Sequence, residues 1–200
     1  MFTVDDGTPP APRRPADVRI VGRTAPGRGR NLAAMPIPPY VADLRTRIGT
    51  DLLWLPGVTV VVRDDAGRVL LTRRADNDMW ALVSGIIDPG EEPAPAAARE
   101  SLEETGVAVV VDDLAAVSTT GEIVYPNGDR TTYLDLLFTA HPVSAEAAAA
   151  AHVADDENSA VGWFALDALP EPLTGSTTQR LALLRRFEAN GDRVTLFVAP

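Results

Sequence analysis

Three glutamates lie close together near the middle of the chain, at a spacing that suits metal chemistry. Glu100, Glu103 and Glu104 stand at i, i+3 and i+4, so a helix would carry all three carboxylates on one face. Like charges at this spacing weaken a helix by roughly 0.2–0.5 kcal/mol per pair. A hard divalent cation, which prefers oxygen ligands, would convert that repulsion into coordination. The alternative is a solvated acidic face, the usual role of a bare ExxEE pattern.

The residues around these glutamates predict a loop followed by a helix. The Pro-Gly pair at 89–90 is typical of a turn. A helix is predicted from about Pro93 to Thr105, because proline is tolerated in the first turn and Gly106 stands just past the end. Arg99 adjoins the acidic face and Glu91 lies in the preceding loop, so we expect the arginine to clamp the loop to the helix.

The stretch from position 85 to position 107 resembles the Nudix box, G-x5-E-x7-R-E-U-x-E-E-x-G-U, in which U is a bulky aliphatic residue. The positions that match are Gly85, Glu91, Arg99, Glu100, Glu103, Glu104, Gly106 and Val107. Ser101 departs from the pattern, since an aliphatic residue is usual there. Because Ser101 lies away from the carboxylates, the departure concerns local packing rather than chemistry. The resemblance extends over about residues 55–187.

The resemblance implies a set of magnesium ligands within this stretch. Glu100 and Glu104 would be the principal ligands, and Glu103 would be a further ligand or act through water. The backbone carbonyl of Ser84, directly before the box glycine, would add another oxygen. Mn²⁺ is an alternative to Mg²⁺ as the cofactor.

Members of this family often supply one more glutamate from a late loop, as a metal ligand or general base. Glu157 is the best candidate here, and Asp155 or Asp156 is an alternative. A DDE run before a strand is also an ordinary solvated loop, so this assignment rests on the resemblance. In the implied reaction, a glutamate takes a proton from water, which then attacks phosphorus in line.

Four further residues carry weaker expectations. Arg73 and Arg74 close a strand and are candidates for binding phosphate, or they form a solvated strand end. Tyr125 is a candidate for contacting a base or sugar, although the YPNGD segment that contains it is first of all a hairpin turn. Trp80 is expected in the core rather than as a platform for base stacking.

Strand and helix patterns alternate along the chain. The runs at 57–63 and 68–74 predict a β-hairpin, and residues 79–85 predict one short strand. Further strands are predicted at 107–118, 131–140, 161–164 and 193–198, helices at 40–48 and 177–189, and a linker or short helix at 145–151. This order predicts an α+β domain, an α/β/α sandwich with a mixed sheet between helices.

Composition defines a single domain with an extension. Residues 1–34 are dense in Pro, Gly and Arg and predict a poorly ordered segment, with Met35 as a hypothetical start of the folded protein. Residues 35–200 are predicted to form one Nudix domain. No apolar run reaches the roughly 20 residues of a membrane span, and the N-terminus does not resemble a signal peptide, so we expect a cytoplasmic protein.

Charge and cysteine content exclude several functions. The chain has 28 acidic and 18 basic residues, all of the latter arginine, and a net charge of −10. Binding bulk nucleic acid needs a basic surface, so nucleic acid is not an expected partner. The absence of cysteine excludes thiolate zinc sites and thiol nucleophiles. The expected partner is a small phosphorylated nucleotide-type molecule, and family analogy favours a homodimer.

Several branches of the family are disfavoured by what the sequence lacks. The isoprenoid isomerases need a catalytic cysteine, and the zinc-bearing NADH pyrophosphatases need four. The downstream proline typical of ADP-ribose hydrolases is also missing. Nucleoside triphosphates, dinucleotides and nucleotide sugars stay open as substrates. A nucleotide-binding sensor without hydrolysis is the alternative function, but such sensors usually carry a degraded box.

Overall fold

The computed structural model describes residues 20–22 and 38–198. The helices are α1 (Pro39–Ile48), α2 (Pro93–Thr105), α3 (Ala145–Ala149) and α4 (Gly175–Ala189). The strands are β1 (Ile20–Gly22), β2 (Leu53–Val62), β3 (Val69–Arg74), β4 (Trp80–Ala81), β5 (Val83–Ile86), β6 (Val109–Thr119), β7 (Ile123–Val124), β8 (Arg130–Pro142), β9 (Asn158–Phe164) and β10 (Leu196–Phe197). The predicted helices and most predicted strands form within a few residues of their expected bounds.

The strands form two sheets. The larger has the order β10-β6-β8-β2-β5, with β7 paired to β8, and is mixed because β2 runs parallel to β8 and antiparallel to β5. The smaller has the order β1-β9-β3-β4 and is antiparallel. Strand β2 is buried on both faces from Val58 to Val62, which explains its unbroken β-branched sequence.

Two strand predictions are wrong in their pairing. Residues 57–63 and 68–74 both form strands, but instead of a hairpin ladder they share one bridge, between Arg63 and Val69. Both edges of β2 are occupied, by β8 and β5, so β3 pairs with β9 and β4 in the other sheet. The single strand predicted at 79–85 is divided into β4 and β5, one in each sheet.

Two helices cover opposite faces of the larger sheet. Val58 and Val60 pack in one buried cluster with Ala96 and Ala97 of α2. The intervening Val61 packs in a second cluster with the α4 residues Leu181, Leu184 and Phe187. Alternate residues of a strand face opposite sides, so α2 and α4 sandwich the sheet. The predicted α/β/α sandwich is confirmed.

Strand β1 was not predicted. It lies within the segment expected to be poorly ordered and pairs with β9, where Ile20 is opposite Gly162. The other residues of the predicted extension, 1–19 and 23–34, and the hypothetical start at Met35 lie outside the described residues. The proposed domain bounds therefore stay a prediction.

The C-terminal end of α2 is fixed by backbone and buried hydroxyl groups. Gly106 adopts a left-handed conformation (φ 68°), which ends the helix, and its N–H donates to the carbonyl of Leu102. Ser101 is fully buried, and its hydroxyl donates to the carbonyl of Val107 at 3.0 Å. The Thr105 hydroxyl in turn accepts from the N–H of Val107 at 3.2 Å. Ser101 stands where the box usually has an aliphatic residue, and its hydroxyl links the end of the helix to the segment that follows.

We predict that Ser101→Ala lowers the free energy of unfolding by about 1–3 kcal/mol, because the buried Val107 carbonyl loses its side-chain donor. Chemical denaturation would measure the loss. Leu102→Ala, at a half-exposed position on the same helix, is the control and should change stability by about 0.5 kcal/mol or less. Equal stability of Ser101→Ala and the native protein would contradict this role.

Candidate active site

Glu104 is held where the two sheets meet. Its Oε1 accepts a hydrogen bond from the backbone N–H of Ser84 at 3.1 Å. Its Oε2 accepts from the hydroxyl of Thr72 at 3.4 Å and from the side-chain amide of Asn158 at 3.2 Å. These donors lie on β5, β3 and β9, so one carboxylate connects α2 to strands of both sheets.

Glu100 lies one helical turn before Glu104, directly over Gly85. A Cβ atom at position 85 would lie 2.0 Å from Cδ and Oε1 of Glu100, so only glycine leaves room for this carboxylate. The Glu100 side chain is only 14% exposed. The box glycine is therefore explained by close approach of the strand to the carboxylate.

Arg99 organises the remaining acidic groups. Its Nε and Nη2 donate to the two carboxylate oxygens of Glu91, both at 2.8 Å, and Nη2 also donates to the Ile86 carbonyl at 3.2 Å. Its Nη1 donates to Glu100 at 2.8 Å and to Glu103 at 3.0 Å. The expected clamp from helix to loop is present. Glu103 is the most exposed of the three helix glutamates, with 57% of its side chain accessible.

The loop before β9 brings a second acidic segment to α2. Asp155 Oδ1 accepts from the backbone N–H groups of Glu157 and Asn158, both at 3.1 Å. The Asn158 side-chain amide donates to both Asp155 oxygens at 3.2 Å as well as to Glu104. The Glu157 carbonyl accepts from the N–H of Ala75 at the end of β3. Asn158 therefore links the loop to the helix.

Burial raises the pKa values of these carboxyl groups. Burial raises the pKa of Glu100 to about 7, although Arg99 opposes the shift. Burial, reinforced by the charges of Glu100, Asp155 and Glu157, raises the pKa of Glu104 to about 8. Burial also raises the pKa of Asp155 and of Glu157. The site therefore concentrates carboxylates with too little compensating positive charge.

The donor set fits a hard divalent cation. Glu100 and Glu104 offer oxygen ligands on one helix face, and a cation there would offset the repulsion that raises their pKa values. Within residues 20–22 and 38–198, no three acidic or histidine side chains already form a metal-binding group. Arg99 holds Glu100 and Glu103 instead, so a cation would have to compete with this arginine for them.

The two predicted arginines have different surroundings. Arg74 lies on the same side as the acidic groups, where it pairs with Asp76 at 2.8 Å and interacts electrostatically with Glu157. Arg73 instead contacts the turn after β3, where its Nε donates to the carbonyl of Asp78 at 3.2 Å. The structure thus brings Arg74, but not Arg73, toward the carboxylates.

Tyr125 and Trp80 lie away from the acidic groups. Tyr125 opens the predicted turn, where its carbonyl accepts from the N–H of Gly128, and its hydroxyl contacts that of Tyr133 at 2.9 Å. Trp80 is 5% exposed and packs edge-to-face on Phe164 with ring centroids 4.8 Å apart. The core assignment of Trp80 is confirmed.

Two residues at the site were not found from the sequence. Thr72 and Asn158 contact Glu104 only because β3 and β9 pair, which no local pattern revealed. Asp155 predicts at most a local turn, because aspartate side chains often accept from the backbone N–H two residues on.

Comparison with known proteins identifies the family. The NUDIX domain model matches residues 53–187. The chain is 38% identical over 135 residues to a MutT-like protein of Streptomyces ambofaciens, covering 68% of this chain and 77% of that protein. It is 43% identical over 54 residues to a putative 8-oxo-dGTP diphosphatase of Bacillus subtilis (strain 168), covering 27% of this chain but only 36% of that protein.

Solved structures support the same fold. A UDP-X diphosphatase superimposes with a TM-score of 0.55 at 21% identity, over 84% of this chain and 78% of that one. The family match and the related sequences identify the molecule as a hydrolase of the class that acts on phosphoanhydride bonds in nucleoside diphosphate derivatives. The chain belongs to the Nudix family. Among the described residues, no helix is long and apolar enough to cross a membrane.

We predict that Gly85→Ala weakens binding of Mg²⁺ or Mn²⁺ by about 10–100-fold, because the added methyl group displaces the Glu100 carboxylate. Calorimetric titration with Mn²⁺ would measure the change. The fold should survive, since the group displaced is the flexible end of a side chain. Gly191→Ala is the matched control, because a Cβ there meets open space. Native affinity in Gly85→Ala would exclude Glu100 as a ligand.

Proposed function

We propose that this protein hydrolyses the phosphoanhydride bond of a nucleoside diphosphate linked to another group, with Mg²⁺ held by Glu100 and Glu104. The observation that carries this proposal is the burial of both carboxylates on one face of α2, with pKa values raised to about 7 and 8. Glu103 and the carbonyl of Ser84 complete the proposed ligand set. Mn²⁺ has the same preference for oxygen and is an alternative.

The residues around the proposed cation site have different roles. When bound, Mg²⁺ supplies positive charge against the phosphate oxygens and acidifies water. Arg99 holds Glu91 and thereby fixes the loop from β5 to α2. Arg74, on the same side as the carboxylates, is the proposed contact for a phosphate oxygen.

Glu157 is the proposed general base. Its pKa is raised by burial and by Asp155, so it binds a proton more readily than an exposed glutamate. It would take a proton from water as the water oxygen bonds to phosphorus and the bridging P–O bond breaks. The released phosphate then leaves as an anion. Asp155 is a weaker candidate because its carboxylate is occupied by three donors of its own loop.

The substrate is proposed only as a class. The names of the related proteins point to nucleotides, as in the putative 8-oxo-dGTP diphosphatase, and to nucleoside diphosphates with a further group, as in the UDP-X diphosphatase. Nucleoside triphosphates, dinucleotides and nucleotide sugars are all candidates. Phosphate release from such a panel, with Mg²⁺ and with EDTA, tests the proposal.

We predict that Glu104→Gln and Glu100→Gln each lower kcat about a hundredfold or more, because loss of a ligand removes several kcal/mol of transition-state stabilisation. Steady-state kinetics on the best substrate of the panel would measure the loss. Glutamine keeps the shape and removes a buried charge, so thermal melting of both variants should show an intact fold. Glu188→Gln, on α4 and paired with Arg63, is the control for charge removal and should keep native kcat. Near-native turnover in Glu104→Gln would refute the proposed metal site.

A second prediction separates the candidate bases. Glu157→Gln should lower kcat about 10²–10⁴-fold and remove the acidic limb of its pH profile, while Mn²⁺ affinity stays near native. Asp156→Asn, an exposed neighbour with the same change of charge, is the control. If Glu157→Gln keeps the acidic limb and Asp155→Asn or Asp156→Asn loses it, the base must be reassigned to that aspartate.

A further inference from the structure

The loop between α3 and β9, residues 150–157, is attached to the C-terminal end of α2. The N–H of His152 donates to the backbone carbonyl of Thr105 at 2.9 Å. The N–H of Ala154 donates to the backbone carbonyl of Glu104 at 3.2 Å. The last carbonyls of a helix have no partner within the helix, so donors from outside satisfy them. The position of the loop is therefore set by the end of α2.

The imidazole ring of His152 lies on Gly106, the residue that ends α2. A Cβ atom at position 106 would lie 2.1 Å from Cε1 and 2.4 Å from Nδ1 of this ring, so the ring occupies the space that a side chain there would take. Nδ1 also contacts the carbonyl of Ala150 at 2.8 Å. Because a carbonyl can only accept, Nδ1 is the nitrogen that carries a proton. A hydrogen bond thus fixes the ring to its own loop, and packing fixes it to the helix end.

The stability of the fold does not account for this ring. His152 is exposed, whereas its neighbour Val153 packs against the buried cluster that contains Val58 and Val60. Replacing an exposed side chain usually changes the free energy of unfolding by about 0.5 kcal/mol or less. The specific effect of the ring is to fix where the loop lies on the helix end.

Glu157 lies between this attachment and β3. Its carbonyl accepts from the N–H of Ala75, at the end of β3, at 2.8 Å. On the other side, the carboxylate of Asp155 accepts from the N–H of Glu157 at 3.1 Å and closes a turn directly after Ala154. The segment that carries the proposed base is therefore held by β3 at one end and by α2 at the other. Two residues separate Ala154 from Glu157, so a shift of the loop at Ala154 also displaces Glu157.

The carboxylate of Glu104 depends much less on this attachment. Ser84 and Thr72 donate to it from β5 and β3, outside the loop. Its third donor, Asn158, is the first residue of β9 and is paired with Arg74 of β3. A displaced loop would therefore move the proposed base and leave the proposed metal ligands in place.

We propose that His152 is a positioning residue, which fixes the loop to the end of α2 and thereby holds Glu157 where it can take a proton from water. This inference rests on the proposed function, because it concerns the same base and the same reaction. Misplacement of a reacting group by about 1 Å can cost about a hundredfold in rate, so a contact remote from the substrate can control kcat.

Kinetics of His152→Ala test the proposal. We expect kcat to fall about 10–100-fold while KM and the affinity for Mn²⁺ stay within about threefold of native, because the base moves and the metal ligands do not. His141→Ala is the matched control and should keep native kcat, since His141 is the other histidine of the chain and contacts Asp112 on β6. Native kcat in His152→Ala would overturn the inference and leave the proposed function standing.

A double-variant cycle shows whether His152 acts through Glu157. In the Glu157→Gln protein, His152→Ala should lower kcat by less than about twofold further, because the group that it positions is already absent. A loss from general damage to the fold would be the same with and without Glu157. An equal loss of kcat in both backgrounds would therefore overturn the inference.

Amide hydrogen exchange tests the contact without turnover. The N–H of Ala154 should be protected in the native protein and should exchange about 10-fold faster or more in His152→Ala. The N–H of Gly106, which donates to the carbonyl of Leu102 within α2, should keep its protection in both proteins. An Ala154 N–H that is unprotected in the native protein, or equally protected in both proteins, would overturn the inference. Protection lost in His152→Ala, in a protein that hydrolyses nothing, would support the contact and refute the proposed function.

Discussion

The hydrogen bonding of Glu104 is the constraint on which the rest of the site depends. A carboxylate with a pKa near 8 is poorly solvated, so it needs donors at defined positions. Those donors come from Ser84 on β5, Thr72 on β3 and Asn158 on β9. They meet only if the two sheets lie in one particular relation to α2. The same contact therefore orients the helix, joins the sheets and presents the acidic face.

Arg99 determines which carboxylates of the acidic face are hydrogen-bonded when no cation is bound. One guanidinium contacts three carboxylates, yet only Glu91 is held by two hydrogen bonds. Glu91 has its pKa lowered by these bonds, whereas the pKa of Glu100 is raised despite its contact with the arginine. The arginine is thus committed to the loop, and its hold on Glu100 is the weaker one. A divalent cation can take Glu100 without dismantling the clamp that shapes the loop.

Local sequence was sufficient to predict α2, because its glutamate spacing, first-turn prolines and terminal glycine all lie within a single stretch. The same stretch supplied Glu100, Glu104, Arg99 and the clamp to Glu91. Long-range pairing was not accessible in this way. The hairpin expected from the runs at 57–63 and 68–74 failed because both edges of β2 were already occupied by strands distant in sequence. Asn158 was missed for the same reason, since its contact with Glu104 depends on where β9 lies in the smaller sheet.

The two faces of the larger sheet differ in their charge. The α2 face gathers unneutralised carboxylates, which in a protein of net charge −10 repel a phosphorylated ligand unless a cation intervenes. The α4 face instead pairs Asp135 with Arg180, so the two charges offset each other. Because β2 and β8 supply Thr59 and Asp135 to the α4 face while β5 supplies Ser84 and Gly85 to the α2 face, the sheet itself keeps the two environments apart.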